Sequence, residues 1–262
     1  MRGLYMAEGA MLAQQMRLET TGNNLSNQHT PGYKKDETVQ TSFAEWLVSR
    51  TGSGDDSFPA GRRQAVPTGV MAHNVAIEED YTHFTQGQLE ETGRTLDLAL
   101  EGEGFFEVEI DDESRYTRNG RFFLNEESVL VDVEGNPVQG EDGPVVLDVE
   151  EMERGSYSIE EDGSIYLEGE FVDQLQVVDF PEEADLAKEG DNLYVPEEGA
   201  EDDFVDSEAR VMQGFVENSN VDLSEEIVNL MEARNSFETA QRVMITYDSI
   251  LEKAANELGA MR

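Results

Sequence analysis

The sequence contains no cysteine, which excludes both a disulfide framework and a thiolate metal site. Only 18 basic side chains stand against 58 acidic ones. This imbalance argues against nucleic acid or an anionic membrane as a partner, because phosphate groups are bound by Lys and Arg. No run of about 18 apolar residues is present, so no membrane-spanning helix is predicted. The N-terminal residues also lack the apolar core, about 7–15 residues long, of a cleaved secretion signal.

Patterns that indicate catalysis are scarce as well. The three histidines, His29, His73 and His83, do not have the spacing of metal ligands. There is no phosphate-binding loop and no serine-nucleophile motif, and Gly102-Glu103-Gly104 precedes a β-type stretch instead of a helix. Carboxylates are so abundant that a pair at glycosidase distance carries no weight. We therefore predict no catalytic residue, cofactor or metal, with a carboxylate-based hydrolase as the enzymatic alternative.

The acidic charge is concentrated in the middle of the chain. Residues 101–210 hold six basic and 36 acidic side chains, a net charge of −30 out of −40, whereas residues 1–42 hold four of each. Such a surface either keeps a folded domain soluble or adapts it to concentrated salt, where electrostatic fields shorten from roughly 10 Å at 0.1 M to about 3 Å at 1 M. In both cases the terminal segments are left free to associate.

A seven-residue spacing of apolar side chains marks both ends. In the C-terminal stretch these residues are Leu223, Leu230, Phe237, Met244, Leu251 and Leu258, and in the N-terminal stretch Leu4, Met11, Leu18 and Leu25. This spacing predicts helices that each bury one narrow seam against another helix. We predict a first helix over residues 3–27 and a last helix of about 36 residues, capped by Asp222 and Glu225. The two helices could form a hairpin within a monomer, or pair as part of an assembly.

Between the helices the pattern is typical of β-strands. Alternation of apolar and polar residues predicts strands at 96–100, 105–110, 129–133, 156–159, 164–167 and 174–178. Turn signals lie at Asn119-Gly120, at 134–137, at Asp142-Gly143 and at Asp162-Gly163. Together they predict a mostly antiparallel β domain with one wet, acidic face.

The predicted fold class is therefore α+β, with long N- and C-terminal helices that pair as a coiled coil. Residues 1–35 and 216–262 would form the helical assembly domain, and residues 86–215 the acidic β domain. The connecting segment, residues 36–85, is less regular. In it Phe43, Trp46 and Leu47 could anchor a short helix or a strand, and residues 51–57 read as a loop. The pair Arg62 and Arg63 fits either a solvated turn or a subunit contact.

Several motifs resemble those of the bacterial flagellar rod and hook proteins. Near the N-terminus they are Gly3-Leu4-Tyr5, residues 11–15, Asn23-Asn24-Leu25-Ser26-Asn27 and Thr30-Pro31-Gly32-Tyr33-Lys34. Further matches are residues 85–89, Thr92-Gly93, 96–100, Gly102, 104–106, 116–120 and 213–222. They occur in order over nearly the whole chain, which is most similar to a distal rod protein. Gly22, Ser26, Arg234-Asn235 and Phe237 depart from the family pattern and leave the paralogue open.

The resemblance implies a structural, non-enzymatic subunit of the flagellar basal-body rod, which polymerises into a helical tube and transmits torque from motor to hook. It implies export through the flagellar type III apparatus without cleavage, and partnership with itself and with other rod and hook proteins. Alternatives are a hook or hook-junction subunit, or a secreted acidic surface-binding module with a coiled-coil stalk. The expected assembly interface comprises Leu4, Met11, Leu18, Asn23, Asn24, Leu25, Leu223, Ile227, Leu230, Phe237, Met244, Leu251 and Leu258, with the family turn at Thr30, Pro31, Gly32 and Tyr33.

Overall fold

The structure is a computed structural model that describes residues 2–42, 46–51, 65–71, 75–111, 113–147, 157–180, 186–190, 192–196, 205–207 and 209–260. The chain divides into two compact units. The helical unit comprises Met1–Asn23, Asp36–Tyr81 and Ser224–Arg262, and the β unit comprises Asn24–Lys35 and Thr82–Leu223. Phe43, most of the predicted 51–57 loop, and the pair Arg62 and Arg63 lie outside the described residues.

Two long helices occupy the predicted positions. Helix α1 spans Arg2–Ser26 (25 residues) and helix α2 spans Leu223–Ala260 (38 residues). Helix α2 begins directly after Asp222, and Glu225 and Glu226 place negative charge in its first turn, where the helix dipole favours it. Within the described residues, neither helix has an apolar stretch long enough to cross a membrane.

The strands are short. In chain order they are β1 Lys35–Ser42, β2 Trp46–Thr51, β3 Ala65–Met71, β4 Val75–His83, β5 Leu89–Glu91, β6 Leu98–Glu101, β7 Phe105–Ile110, β8 Glu113–Thr117, β9 Phe123–Leu124, β10 Leu130–Val131, β11 Gln139–Gly140, β12 Gly143–Pro144, β13 Tyr157–Ile159, β14 Ser164–Leu167, β15 Glu170–Gln174, β16 Val177–Asp179, β17 Leu186–Glu189, β18 Leu193–Pro196, β19 Val205–Asp206, β20 Arg210–Gln213 and β21 Phe215–Glu217. Trp46 therefore begins a strand and not a helix.

The largest sheet of the β unit has six strands in the order β17-β18-β8-β7-β16-β19. A three-stranded sheet, β13-β14-β15, and the pairs β9–β10, β11–β12, β6–β20 and β5–β21 complete this unit, while β1–β4 and β2–β3 pair separately. The strand pairs whose register is described in the β unit are antiparallel. The α+β class with a mostly antiparallel β unit is confirmed, and the coiled-coil pairing of the helices stays a prediction.

The strand predictions differ from the structure in three places. The strand predicted at 174–178 is two strands, because the amides of Leu175 and Gln176 donate to Gly163 and Gln139 and carry the chain from one sheet to the next. The strand predicted at 129–133 shortens to β10. The Asn119-Gly120 signal lies between β8 and β9, which do not pair with each other among the described strands.

Strand β7 supplies two cores at once. Successive side chains of a strand point to opposite faces, and here both Phe105 and Phe106 are fully buried. Phe106 packs edge-on against Phe122 at 5.2 Å in the larger apolar core, which also holds Leu98, Leu130 and Ile165. The prediction of one wet face is therefore wrong at the start of this strand, because both of its faces are covered.

The second core is aromatic. Phe105 meets Tyr194 at 5.5 Å and Phe180 at 6.1 Å between ring centroids, and Phe180 meets Tyr116 at 4.9 Å. Burial raises the pKa of the Tyr116 phenol to about 12, and the nearby Glu107 carboxylate adds to the shift. The phenol is neutral at physiological pH even with its ordinary pKa, and the raised pKa keeps it neutral further into the alkaline range.

Candidate functional site at the junction of the terminal segments

Four motif segments that are distant in sequence meet within the β unit. They are residues 30–35, which follow α1; residues 85–87; residues 116–120; and residues 213–222, which precede α2. We call this meeting point the junction, and define it by Gly32, Lys34, Gly87, Arg118, Glu217 and Asn220. The sequence predicts each segment as a motif, but the structure is needed to bring them together.

The chain turns sharply where it leaves α1. The Thr30 amide donates to the Asn27 carbonyl over 3.0 Å, and the Tyr33 amide donates to the Thr30 carbonyl over 3.3 Å. Gly32 has φ +72°, and a Cβ atom at this position would overlap the backbone of Asn119. A glycine is required here by both the left-handed backbone and the close approach of a second segment. The predicted turn residues thus form the first contact of the junction.

Glu217 occupies the centre of the junction. Its Oε1 accepts a hydrogen bond from Lys34 Nζ at 2.6 Å and from the Gly87 amide at 2.8 Å. Its Oε2 lies 3.6 Å from Arg118 Nη1, and its backbone carbonyl accepts from the Gly32 amide at 2.8 Å. One residue therefore contacts all three of the other segments.

The charges of the junction are deeply buried. The side chains of Lys34 and Glu217 are 1% exposed and that of Arg118 is 2% exposed. Lys34 Nζ also donates to the Thr85 carbonyl at 3.0 Å, and Arg118 Nη1 donates to the Gly102 carbonyl at 2.8 Å while its guanidinium lies 5.1 Å from the centre of the Phe105 ring. Each cation thus has a backbone acceptor in addition to the carboxylate, as buried charges require.

Asn220 adds a second, uncharged connection. Its Oδ1 accepts from the Lys35 amide at 2.8 Å, and its Nδ2 donates to the carbonyls of His83 at 2.7 Å and Thr85 at 3.1 Å. A Cβ atom on Gly87 would overlap the carbonyl oxygen of Asn218, so the segments approach as closely as a bare backbone allows. The junction can hold chain segments together, and its three charged groups are sealed from solvent.

The most deeply buried described side chains of α1 are short. Ala7, Ala13, Thr21 and Asn24 are buried, and the Asn24 Oδ1 accepts a hydrogen bond from the Tyr33 hydroxyl at 3.0 Å. Met11, Leu18 and Leu25 of the predicted seam are half-buried, Asn23 is exposed, and the side chain of Leu4 lies outside the described set. These short side chains are therefore buried more deeply than the half-buried apolar residues of the predicted seam.

The predicted seam of α2 divides into a covered middle and exposed ends. Leu230, Phe237 and Met244 are half-buried and alternate with Glu226, Ala233 and Ala240, of which Glu226 and Ala233 are fully buried. These covered positions repeat with four–three spacing, which is the spacing of a heptad stripe. Leu223, Ile227 and Leu251 are exposed, and the side chain of Leu258 is not among those described. Arg17 of α1 donates to Asn229 Oδ1 of α2 at 3.5 Å.

The sequence did not single out the buried ion cluster. Glu217 is one of 58 acidic residues and Arg118 follows an ordinary strand, so composition and spacing do not distinguish them. Lys34, Arg118 and Glu217 each lie inside a motif that carried the resemblance, and this was the available signal.

Elsewhere, a cleft of about 550 Å³ is lined by Glu141, Glu161, Asp162 and Arg210. The Ser164 amide donates to Asp162 and lowers the pKa of that carboxyl.

Comparison with known proteins agrees with the resemblance along the chain. Residues 4–34 match the family described as "Flagella basal body rod protein". Residues 99–167 match the "Flagellar hook protein FlgE/F/G D1 domain", and residues 212–258 match the "Flagellar basal body rod FlgEFG protein C-terminal". The matched ranges contain Lys34, Arg118 and Glu217.

Full-length relatives align from end to end. The chain is 32% identical over 277 residues to the flagellar hook-basal body complex protein FlhO of Bacillus subtilis, with 99% of each chain covered. It is 31% identical to the flagellar basal-body rod protein FlgG of the same organism, with 98% of each covered. It is also 31% identical to the rod protein FlgF of Caulobacter vibrioides, with 98% of this chain and 97% of the relative covered. These matches confirm the resemblance, and the chain belongs to the flagellar basal-body rod and hook protein family.

Proposed function

We propose that this chain is a structural subunit of the flagellar basal-body rod, which polymerises into a helical tube and transmits torque from motor to hook. Its work is mechanical and not catalytic. FlgG and FlgF are named as rod proteins, and this favours a rod subunit over a hook subunit. The other rival, a secreted acidic adhesin with a coiled-coil stalk, would not share end-to-end similarity with rod proteins.

The observation that carries this proposal is the apolar surface of α2. Large apolar side chains are exposed along its length: Leu223, Ile227, Val228, Met231, Val243, Ile245, Tyr247, Ile250 and Leu251. A soluble protein rarely leaves so large an apolar surface in water unless another surface covers it. In the proposed tube, α1 and α2 pair in coiled-coil fashion, and the exposed side chains pack against helices of neighbouring copies.

A helical tube requires that each copy contact its neighbours through two unlike surfaces. A contact between two unlike surfaces, repeated by a rotation that does not close, generates an open helical filament. The family motifs at both ends and the long α2 supply such unlike surfaces. We further propose that the subunit reaches the basal body through the flagellar type III apparatus without cleavage, and that it binds itself and other rod and hook proteins there.

Replacement of Leu230 or Phe237 by Asp tests this proposal. Both side chains are half-buried on the heptad stripe, and a carboxylate there would be desolvated without a partner. We expect each variant to abolish swimming and to be missing from isolated basal bodies, while circular dichroism shows a folded β unit. The matched control is Gln241→Asp, which places the same carboxylate on an exposed position of the same helix. Normal swimming of both seam variants would refute the assignment of the seam.

A further inference from the structure

The stability of the fold does not by itself explain why charged side chains are buried at the junction. Removing a charge from water costs several kcal/mol, and replacing a buried ion pair by apolar side chains is often neutral or even stabilising, by about 1–4 kcal/mol. Yet Lys34, Arg118 and Glu217 form such a cluster in a chain that has only 18 basic residues. A buried ion cluster is explained more readily when it selects one arrangement of the chain over others.

Strand β21, which contains Glu217, has a register that few backbone pairs hold. It pairs with β5 through only three residue pairs, Phe215↔Glu91, Val216↔Glu90 and Glu217↔Leu89. Strand β20 before it is anchored to β6 by four pairs, and the left-handed Gly214, with φ +82°, separates the two strands while its amide donates to the Asp97 carbonyl at 2.7 Å. A two-stranded pairing this short is marginally stable on its own, and besides the buried Val216 side chain it has Glu217 to distinguish one register from the next.

We propose that Glu217 is a positioning residue that fixes the register of β21, and with it the point at which the chain passes into α2. A slip of one residue turns every side chain of a strand to the opposite face. The Glu217 carboxylate would then leave the junction, and the ammonium of Lys34 and the guanidinium of Arg118 would stay buried without a counter-charge. The slip would also move the start of α2 along the chain direction by about 3.3 Å.

The two oxygens of the carboxylate make this selection specific. Oε1 is held by Lys34 and the Gly87 amide, and Oε2 faces Arg118. The backbone reports the same register, because the Gly32 amide donates to the Glu217 carbonyl at 2.8 Å and the Asn218 amide donates to the Gln88 carbonyl at 2.9 Å. These two amides are therefore direct probes of the register. For its importance in the cell, though not for its physical basis, the inference rests on the proposed rod function.

The test compares the full-length wild type with two variants, E217Q and the triple variant K34M/R118M/E217M. E217Q keeps the shape of the side chain but leaves two buried cations without a counter-charge, so we expect it to have the lowest melting temperature. The triple variant removes the three buried charges of the junction together, and we expect its melting temperature to equal or exceed that of the wild type. In this variant no charged side chain at the junction selects the register of β21. We expect the Gly32 and Asn218 amides to exchange with solvent at least about tenfold faster than in the wild type.

Two controls separate positioning from general loosening. The core amides of Leu130 and Val138, which donate to Val145 and Leu130, should exchange at wild-type rates in the triple variant. E189Q removes the negative charge from the exposed Arg115–Glu189 pair, whose separation of 2.6 Å equals that of Lys34 and Glu217. It should change neither the melting temperature nor the exchange of Gly32 and Asn218.

Wild-type exchange at Gly32 and Asn218 in the triple variant would overturn the proposal, because the register would then be held without the charges. A triple variant that melts below E217Q would also overturn it, because the ions would then act by stabilising the fold. These readouts use the free subunit. The Leu230→Asp and Phe237→Asp experiments measure rod assembly instead. The register proposal can therefore fail while the rod proposal holds, and the rod proposal can fail while the register proposal holds.

Discussion

Many apolar side chains are buried in the β unit, whereas many of those on helix α2 are exposed. In the β unit, Phe105, Phe106 and Phe122 are entirely buried against residues of the same unit. In α2, Ile245 and Met231 are each 60% exposed, although they are equally apolar. The β unit therefore holds the contacts that its fold needs, whereas α2 carries apolar surface for which this single chain supplies no cover among the described residues.

Charge follows the same division. The net charge of −30 lies in residues 101–210, and residues 211–262 hold four basic and nine acidic side chains. A surface that stays in water tolerates charge, whereas a surface that must meet a neighbour is weakened by like charges. We infer that folding and assembly are encoded in different parts of the chain, and the following predictions test that separation.

The largest effect is expected from Phe106→Ala in the β unit. The ring is fully buried against Phe122, and removing such a side chain costs about 3–5 kcal/mol. Urea unfolding of the purified subunit should show this loss. Phe123→Ala is the control, because that neighbouring ring is partly exposed under the Arg94 guanidinium. Equal losses in the two variants would contradict the assignment of the core.

Gly32→Ala should come next. A left-handed backbone costs about 1–2 kcal/mol for a residue with a Cβ atom, and at Gly32 that atom would also overlap the Asn119 backbone. Gly135 is a matched control, since it has φ +97° and no atom within 4 Å of the added Cβ. We expect Gly32→Ala to lose clearly more unfolding free energy than Gly135→Ala. Equal losses would mean that the close approach at the junction carries no cost.

A salt series tests the role of the acidic charge on the β unit. We propose that the acidic surface of the β unit is adapted to concentrated salt, because screening shortens the range of repulsion between its carboxylates. The melting temperature should rise by at least about 2–4 °C between 0.1 M and 1 M NaCl, which corresponds to about 1 kcal/mol for a domain of this size. Sucrose at matched osmolality controls for a general solvent effect. A melting temperature that does not rise with NaCl would refute the adaptation.

The smallest effect on stability is expected from Ile245→Ser. An exposed side chain that touches little changes the unfolding free energy by less than about 0.5 kcal/mol. Val133→Ser is the matched control, because Val133 and Ile245 are both 60% exposed. If apolar exposure on α2 serves assembly, Ile245→Ser should lower incorporation into isolated basal bodies while Val133→Ser does not. Normal incorporation of both variants would remove the distinction between the two surfaces.

The predictability of each part depends on how local its signal is. The seven-residue spacing from Leu223 to Leu258 is a local pattern, and α2 was predicted within a few residues. Strands were located well where both ends are marked, as for Phe105–Ile110 and Ser164–Leu167. The break at Leu175 and Gln176 was missed because it depends on hydrogen bonds to Gly163 and Gln139 in other elements.

The junction was beyond sequence reasoning for the same reason. Glu217 meets Lys34 across 183 residues and Gly87 across 130, and no periodic pattern links positions so far apart. The sequence identified the motifs that contain these residues and the turn at Thr30–Tyr33. It does not distinguish, among 58 acidic side chains, the carboxylate that is buried beside Lys34 and Arg118.

The chain passes between its two units after residues 23, 35, 81 and 223. Asn220 binds the backbone at Lys35 and at His83, within a few residues of three of these crossings. Loops of the β unit that lie away from these hydrogen bonds could therefore change in length over evolutionary time while the hydrogen bonds of Asn220 to Lys35 and His83 are kept. The same arrangement makes the β unit a natural place to graft a foreign domain or a fluorescent label, provided that residues 30–35, 83–87, 116–120 and 217–220 are retained.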